Sequence, residues 1–173
     1  MKTLILIDGS NFYHKLKDNN QHNKKFDYEK FCKYIAGKEK YSCVYYVGAI
    51  RQEKNNKKSR KMYSKQRSFL ANLEKQGLAI YRGHILKTGS VYHEKGVDVK
   101  IAVDLLVGAY ENTYKKAFLV SSDTDLIPAI EKAISRKKDI EYIGFSHSPS
   151  YALIKTCTSS RLLSAKDIET FLK

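Results

Sequence analysis

Short apolar runs rich in β-forming residues alternate along this chain with longer amphipathic segments. That alternation constrains the fold more than any other feature, because it is the pattern of an α/β domain with a mainly parallel central sheet. The spacing predicts strands over 3–8, 42–50, 78–82 with an extension towards 86, 117–122 and 140–145. Helices are expected near 11–17, 27–38, 58–76, 97–111, 125–137 and 150–157. Met62, Phe69, Leu70 and Leu73 share one stripe of the helix over 58–76. Ser164-Ala-Lys-Asp167 reads as a capping box opening a last short helix. The segment "LKTGSVYHEKG" reads as a hairpin-like excursion turning at Thr88-Gly89. With no internal repeat, no low-complexity tract and only two prolines, the 173 residues are expected to form one domain with a substantial core.

Charge narrows the partners. Thirty-two Lys and Arg against eighteen Asp and Glu leave a net charge of +14, a field that attracts polyanions, RNA among them. The cations are also clustered: "RQEKNNKKSRKMYSKQR", from Arg51 to Arg67, carries eight Lys or Arg and one Glu. It follows the second strand, so Lys57, Lys58, Arg60, Lys61 and Lys65 are expected near the carboxyl edge of the sheet, as a track for a phosphate backbone or as a solvated helix face. Tyr63, Tyr81 and Tyr92 are candidates for stacking on bases. The apolar run Leu4–Ile7 is far too short for a signal-peptide core or a membrane span, so a cytoplasmic protein with no membrane partner is expected. Cys32, Cys43 and Cys157 are odd in number, scattered and outside any C-x-x-C pattern, and they read as small core residues. Homo-oligomerisation is left open.

In an open parallel sheet, functional groups gather at the carboxyl ends of strands. Acids stand there in three segments. Asp8 closes the first strand, Asp123 follows the fourth with Asp125 two residues on, and Asp98 lies in the first turn of the helix leading into the fourth strand. Each has a plain structural explanation. Asp8-Gly9 can be a turn with Ser10 or Asn11 capping the next helix, Asp98 a favourable charge at a helix start, and Thr124 or Asp125 an N-cap before Pro128. Together they point to something more, because clustered carboxylates repel one another unless a cation neutralises them. Hard divalent ions such as Mg²⁺ or Mn²⁺ prefer such all-oxygen sites. Asp104 is excluded: six residues beyond Asp98, it lies roughly 120° away around the helix and takes a supporting role.

Three motifs in order carry a family resemblance. Asp8-Gly-Ser-Asn11 after a strand, Lys95-Gly-Val-Asp98 opening a helix and Ser121-Ser-Asp123-Thr-Asp125 after a later strand resemble the NYN domain. This is a PIN-like nuclease group that includes the LabA-like proteins. "SPSYAL" and "LLSAKDIETFL" resemble its closing elements. The resemblance implies a Rossmann-like, PIN-type three-layer sandwich and divalent-metal-dependent cleavage of RNA. It carries over Asp8, Asp98 and Asp123 as ligands of Mg²⁺ or Mn²⁺, and Asp125 as a fourth acid at or behind the site. Asn11 would fix the Asp8 loop or contact the scissile phosphate.

The chemistry suits these residues, since a bound metal both activates water and stabilises charge on a phosphate without a dedicated His base. Lys95 can add positive charge beside it or be an ordinary exposed lysine. Other chemistries fall away. A haloacid-dehalogenase-type phosphatase needs a second Asp where Ser10 stands. There is no Walker A loop, no G-x-G-x-x-G after the first strand and no zinc pattern among the five histidines. His84 and His93 flank the excursion as surface groups. The alternative is a non-catalytic RNA-binding module that keeps the same fold.

Overall fold

The computed structural model describes residues 2–22, 24–49, 56–88 and 91–173, excepting the side chains of 85–88 and 91–94. The elements are β1 (Lys2–Asp8), α1 (Gly9–Asp18), α2 (Tyr28–Ala36), β2 (Tyr41–Gly48), α3 (Lys57–Lys75), β3 (Ala79–Thr88) and β4 (Val91–Lys95). They continue with α4 (Val97–Tyr110), β5 (Tyr114–Val120), a short 3-10 turn (Thr124–Leu126), α5 (Ile127–Ser135), β6 (Asp139–Phe145), α6 (Tyr151–Thr156), β7 (Ser159–Leu163) and α7 (Ala165–Glu169). The strands form one sheet in the order β4-β3-β2-β1-β5-β6-β7, parallel throughout except for the β3–β4 hairpin. Among the described residues no helix is long and apolar enough to cross a membrane.

Both faces of the sheet are covered, so the central strands are apolar on both sides, as parallel strands between helical layers must be. Ile5 and Ile7 of β1 point into a core shared with α1, α2, α3 and α7, while Leu6 joins the opposite core with α4, α5 and α6. Cys32, Cys43 and Cys157 are buried thiols in these cores. The architecture is the expected three-layer sandwich with a mainly parallel sheet.

Local differences from the sequence reading have physical causes. No turn separates β1 from α1: Asp8 itself caps the helix, its carboxylate accepting from the Asn11 N–H, so neither Ser10 nor Asn11 is the cap. The helix expected over 125–137 is split into a 3-10 turn and α5, with Asp123 rather than Thr124 or Asp125 as the leading cap and Pro128 in the first turn of α5. β7 carries no apolar alternation, since along this edge strand only Leu163 is buried. In α3, Leu70 and Leu73 are buried, but Met62 and Phe69 on the same stripe are exposed. The Gln66 side chain donates to the carbonyl of Gly48, the last residue of β2, at 2.8 Å, which marks the level where the sheet ends. The turns of α3 before Gln66, about 13 Å of helix, therefore extend past the end of β2, with Tyr63 lining a small cavity alongside Arg82 of β3. The excursion is a hairpin as expected, with β3 pairing β4 from His84–Lys95 to Thr88–Val91. Its turn at Gly89, the residues 51–55 of the basic stretch, and the Tyr92 and His93 side chains lie outside the described residues.

α1 is anchored by Phe12, which is fully buried at 5.1–5.6 Å from the rings of Phe26, Tyr28, Phe31 and Phe145. Phe12→Ala should lower unfolding free energy by about 3–5 kcal/mol, read from equilibrium urea unfolding. A reduction below about 1 kcal/mol would mean that the ring cluster does not hold α1 in place.

Candidate functional site

β1 and β5 are neighbours whose chain continues in opposite directions, β1 outward to β2 and β5 outward to β6. Such a switch point opens a crevice at the carboxyl ends of the two strands. Asp8 is the last residue of β1, and Ser121 follows the last residue of β5 directly beside it. One Asp8 oxygen accepts from the Asn11 N–H and the other from the Ser121 hydroxyl, both at 3.0 Å.

Asp8 is 4% exposed. Burial raises its pKa, the hydrogen bonds from Asn11 and Ser121 oppose that rise, and the charge of Asp123 adds to it. The net direction is upward. Glu141 is the comparison that makes this notable. It is equally buried, yet Lys116 at 2.6 Å and Arg161 at 2.8 Å neutralise it. Among the described residues Asp8 has no cationic partner.

Asp98 reaches the same edge through the hairpin. β3 runs past the sheet end, β4 returns, and Gly96 at φ +82° turns the chain into α4. Gly83 permits the approach, since a Cβ there would stand 2.8 Å from Val97 and 2.9 Å from the Lys95 carbonyl. Partial burial raises the Asp98 pKa, and the charges of Asp123, Asp8 and Asp125 raise it further. The four acids thus share one electrostatic field. Asp123 accepts from the Asp125 N–H at 2.9 Å and donates its own N–H to the Ser121 hydroxyl at 3.2 Å. Asn11 accepts from the Ser122 N–H at 3.2 Å, tying the loop of Asp123 to α1. Asp125 is exposed behind Asp123.

The donor set is all-oxygen and acidic, the chemistry that suits a hard divalent cation. Among the described residues, however, no three His, Cys, Asp or Glu side chains converge on a single point as a formed metal centre would require. Asp104 stands apart as expected, accepting from the Tyr46 hydroxyl at 2.8 Å and pairing with Lys100. Lys57, Lys58, Arg60, Lys61 and Lys65 are exposed on the part of α3 that projects past the edge, and none is in an ion pair among the described residues. Lys95 is exposed at the end of β4, opposite His84. Sequence patterning alone does not single out Ser121, although a hydroxyl residue directly after a buried strand and level with Asp8 is the available signal.

Residues 2–164 match the NYN domain. The chain belongs to this family. The NYN domain is part of the PIN-like nuclease superfamily, which agrees with the sheet order and with acids at the switch point. The same architecture occurs in the crystal structure of a protein of unknown function from Vibrio parahaemolyticus. That chain is 26% identical and superposes with a TM-score of 0.71, the match covering 99% of this NYN domain chain and 96% of the other. No curated protein sequence matches this chain.

The raised Asp8 pKa fixes the sign of a stability effect. A carboxyl that holds its proton more tightly when folded costs stability as pH rises from its unfolded value through its folded one, and the cost persists in full above that. Asp8→Asn keeps an acceptor for the Asn11 N–H, and the Ser121 hydroxyl can turn to accept from the new amide. In chelator at pH 7 the variant should melt above its parent, with the gap closing as pH falls towards the ordinary carboxylate range. A lower melting temperature for the variant at pH 7 would show that the hydrogen bonds outweigh the charge.

Proposed function

We propose that this NYN domain is a divalent-metal-dependent ribonuclease that hydrolyses RNA phosphodiester bonds at the carboxyl edge of its sheet. One observation carries the reading: Asp8 is buried without a countercharge among the described residues, in the field of Asp123 and Asp98. A buried, unpaired carboxylate is too costly to be incidental where a neutral cap would serve as well. Asp8, Asp98 and Asp123 would hold Mg²⁺ or Mn²⁺, with Asp125 at or behind the site. When bound, the ion supplies an activated water and stabilises negative charge on the phosphate.

The chain's own groups do the rest. Asn11 holds the Asp8 and Asp123 loops together through Ser122. Lys95 lies beside the start of α4 and can meet a substrate phosphate. The α3 cations form a track on which an RNA backbone displaces counterions. A second reading, a non-catalytic RNA-binding module, is favoured by the lack of convergence of three acids on one point among the described residues.

The test is direct. Metal-stripped protein is incubated with single-stranded and structured RNA, and Mg²⁺ or Mn²⁺ is added back. Metal-dependent cleavage that falls by orders of magnitude in Asp8→Asn, with RNA binding retained, supports the enzyme. Binding without cleavage under either ion supports the module. Cleavage that persists in chelator rules out a metal mechanism.

The track has its own test. Replacing Lys57, Lys58, Arg60 and Lys61 together by Ala should weaken binding to single-stranded RNA. The slope of log affinity against log salt should fall by up to about 0.7 for each phosphate the variant no longer neutralises. An unchanged slope would move the track elsewhere.

A further inference from the structure

A cleft of about 730 Å³ opens between α1 and α3, one residue from Asp8, and its lining begins with Gly9 and Ser10. Tyr45 of β2 forms part of its lining and is bound closely to the start of α1. A Cβ at Gly9 would stand 2.5 Å from the Tyr45 ring, so the absence of a side chain there lets ring and helix meet. Tyr13 on α1 and Met62 and Phe69 on α3 line the cleft, and they are 47%, 47% and 37% exposed. Large apolar side chains held in the open around one cavity mark a binding surface.

The charges around it are of one sign. Lys24, Lys25 and Lys65 line the cleft, and among the described residues no Asp or Glu does. Its size is that of pockets that hold a small ligand or one unit of a polymer. Aromatic walls beneath a cationic rim match a nucleobase carried on a phosphate backbone, the base stacking and the phosphates meeting lysines.

We infer that this cleft receives an unpaired base of a single-stranded RNA whose backbone passes the acids at Asp8. The inference rests on the RNA reading above and narrows it, because a base held in a duplex stack cannot enter. Strands are therefore selected by the availability of a base, not by charge alone. The α3 cations hold any polyanion, whereas the cleft distinguishes one with bases to insert.

The experiment compares two fluorescent oligoribonucleotides of equal length, one ordinary and unstructured, the other abasic at every position, titrated in chelator so that no cleavage intervenes. The ordinary strand should bind about tenfold or more tighter. The double variant Tyr13→Ala, Phe69→Ala should erase that difference while leaving abasic affinity unchanged. Both side chains are substantially exposed, and equilibrium urea unfolding verifies that the variant is folded. A 2-aminopurine in the ordinary strand should be quenched by the wild-type protein and not by the variant. Equal binding of the two strands by the wild type overturns the base cleft and leaves the RNA reading standing, as does a difference that survives in the variant. Failure of both strands to bind overturns the RNA reading and the cleft with it.

Discussion

A buried carboxylate with no countercharge among the described residues, Asp8 at the end of β1, is the constraint around which this edge of the sheet is arranged. Its backbone belongs to the central strand, while its side chain caps α1 and accepts from Ser121 of the neighbouring segment. A charge so placed is costly, and hydrogen-bond donors around it lower that cost. The local sequence supplies such donors. Asn11 and Ser121 donate to it, and Gly9 lets α1 start immediately over Tyr45. The chain supplies a pair of cations to Glu141 and, among the described residues, none to Asp8, so the lack of a partner is specific to the switch point.

The cations lie around that point instead of on it. α3 runs beyond the last hydrogen bond of β2, and the β3–β4 hairpin extends beyond the same edge further along the sheet. Two projections therefore rise from the edge at which the acids sit. Lysines on α3 and Lys95 at the base of the hairpin are exposed, as are Asp98 and Asp125, whereas Asp8 is buried and Asp123 is half-buried. A net charge of +14 draws a polyanion towards the chain despite the carboxylates at this edge.

Much of this was legible in the sequence because periodicity reports burial. The five expected strands and the helices behind them are all present, since each has a face or both faces in a core. That Asp8, Asp98, Asp123 and Asp125 lie at one edge followed from their placement at strand and helix ends, and the angular argument that set Asp104 apart agrees with its hydrogen bond from Tyr46. Less legible were features decided by neighbours. β7 lies at the sheet edge with one buried residue and therefore lacks a pattern. Met62 and Phe69 carry a core-like spacing, but Met62 lies past the end of β2, and Phe69, though its ring meets Tyr28 and Tyr45, stays 37% exposed. The caps differ from expectation because Asp8 and Asp123 each serve as a helix cap and as a member of the acid group, and propensity alone cannot reveal a residue with two tasks.

That double use makes the acid's charge and its role in folding separable here only in part. Asp8 contributes to the start of α1 through its hydrogen bonds and opposes folding through its charge, so the two effects act on stability with opposite signs. A chain under selection for stability alone would keep the cap and lose the charge, since Ser or Asn caps a helix as well as Asp does. Retaining an acid at a buried position beside Asp123 and Asp98 means accepting lower stability in the cation-free state. Occupancy by a cation that binds only the folded chain would recover it, because a ligand of the native state stabilises in proportion to the logarithm of its saturation. The acid edge would then be least stable when empty, and Asn11 and Ser121, which bind both flanking segments, are the groups that hold it together without a cation.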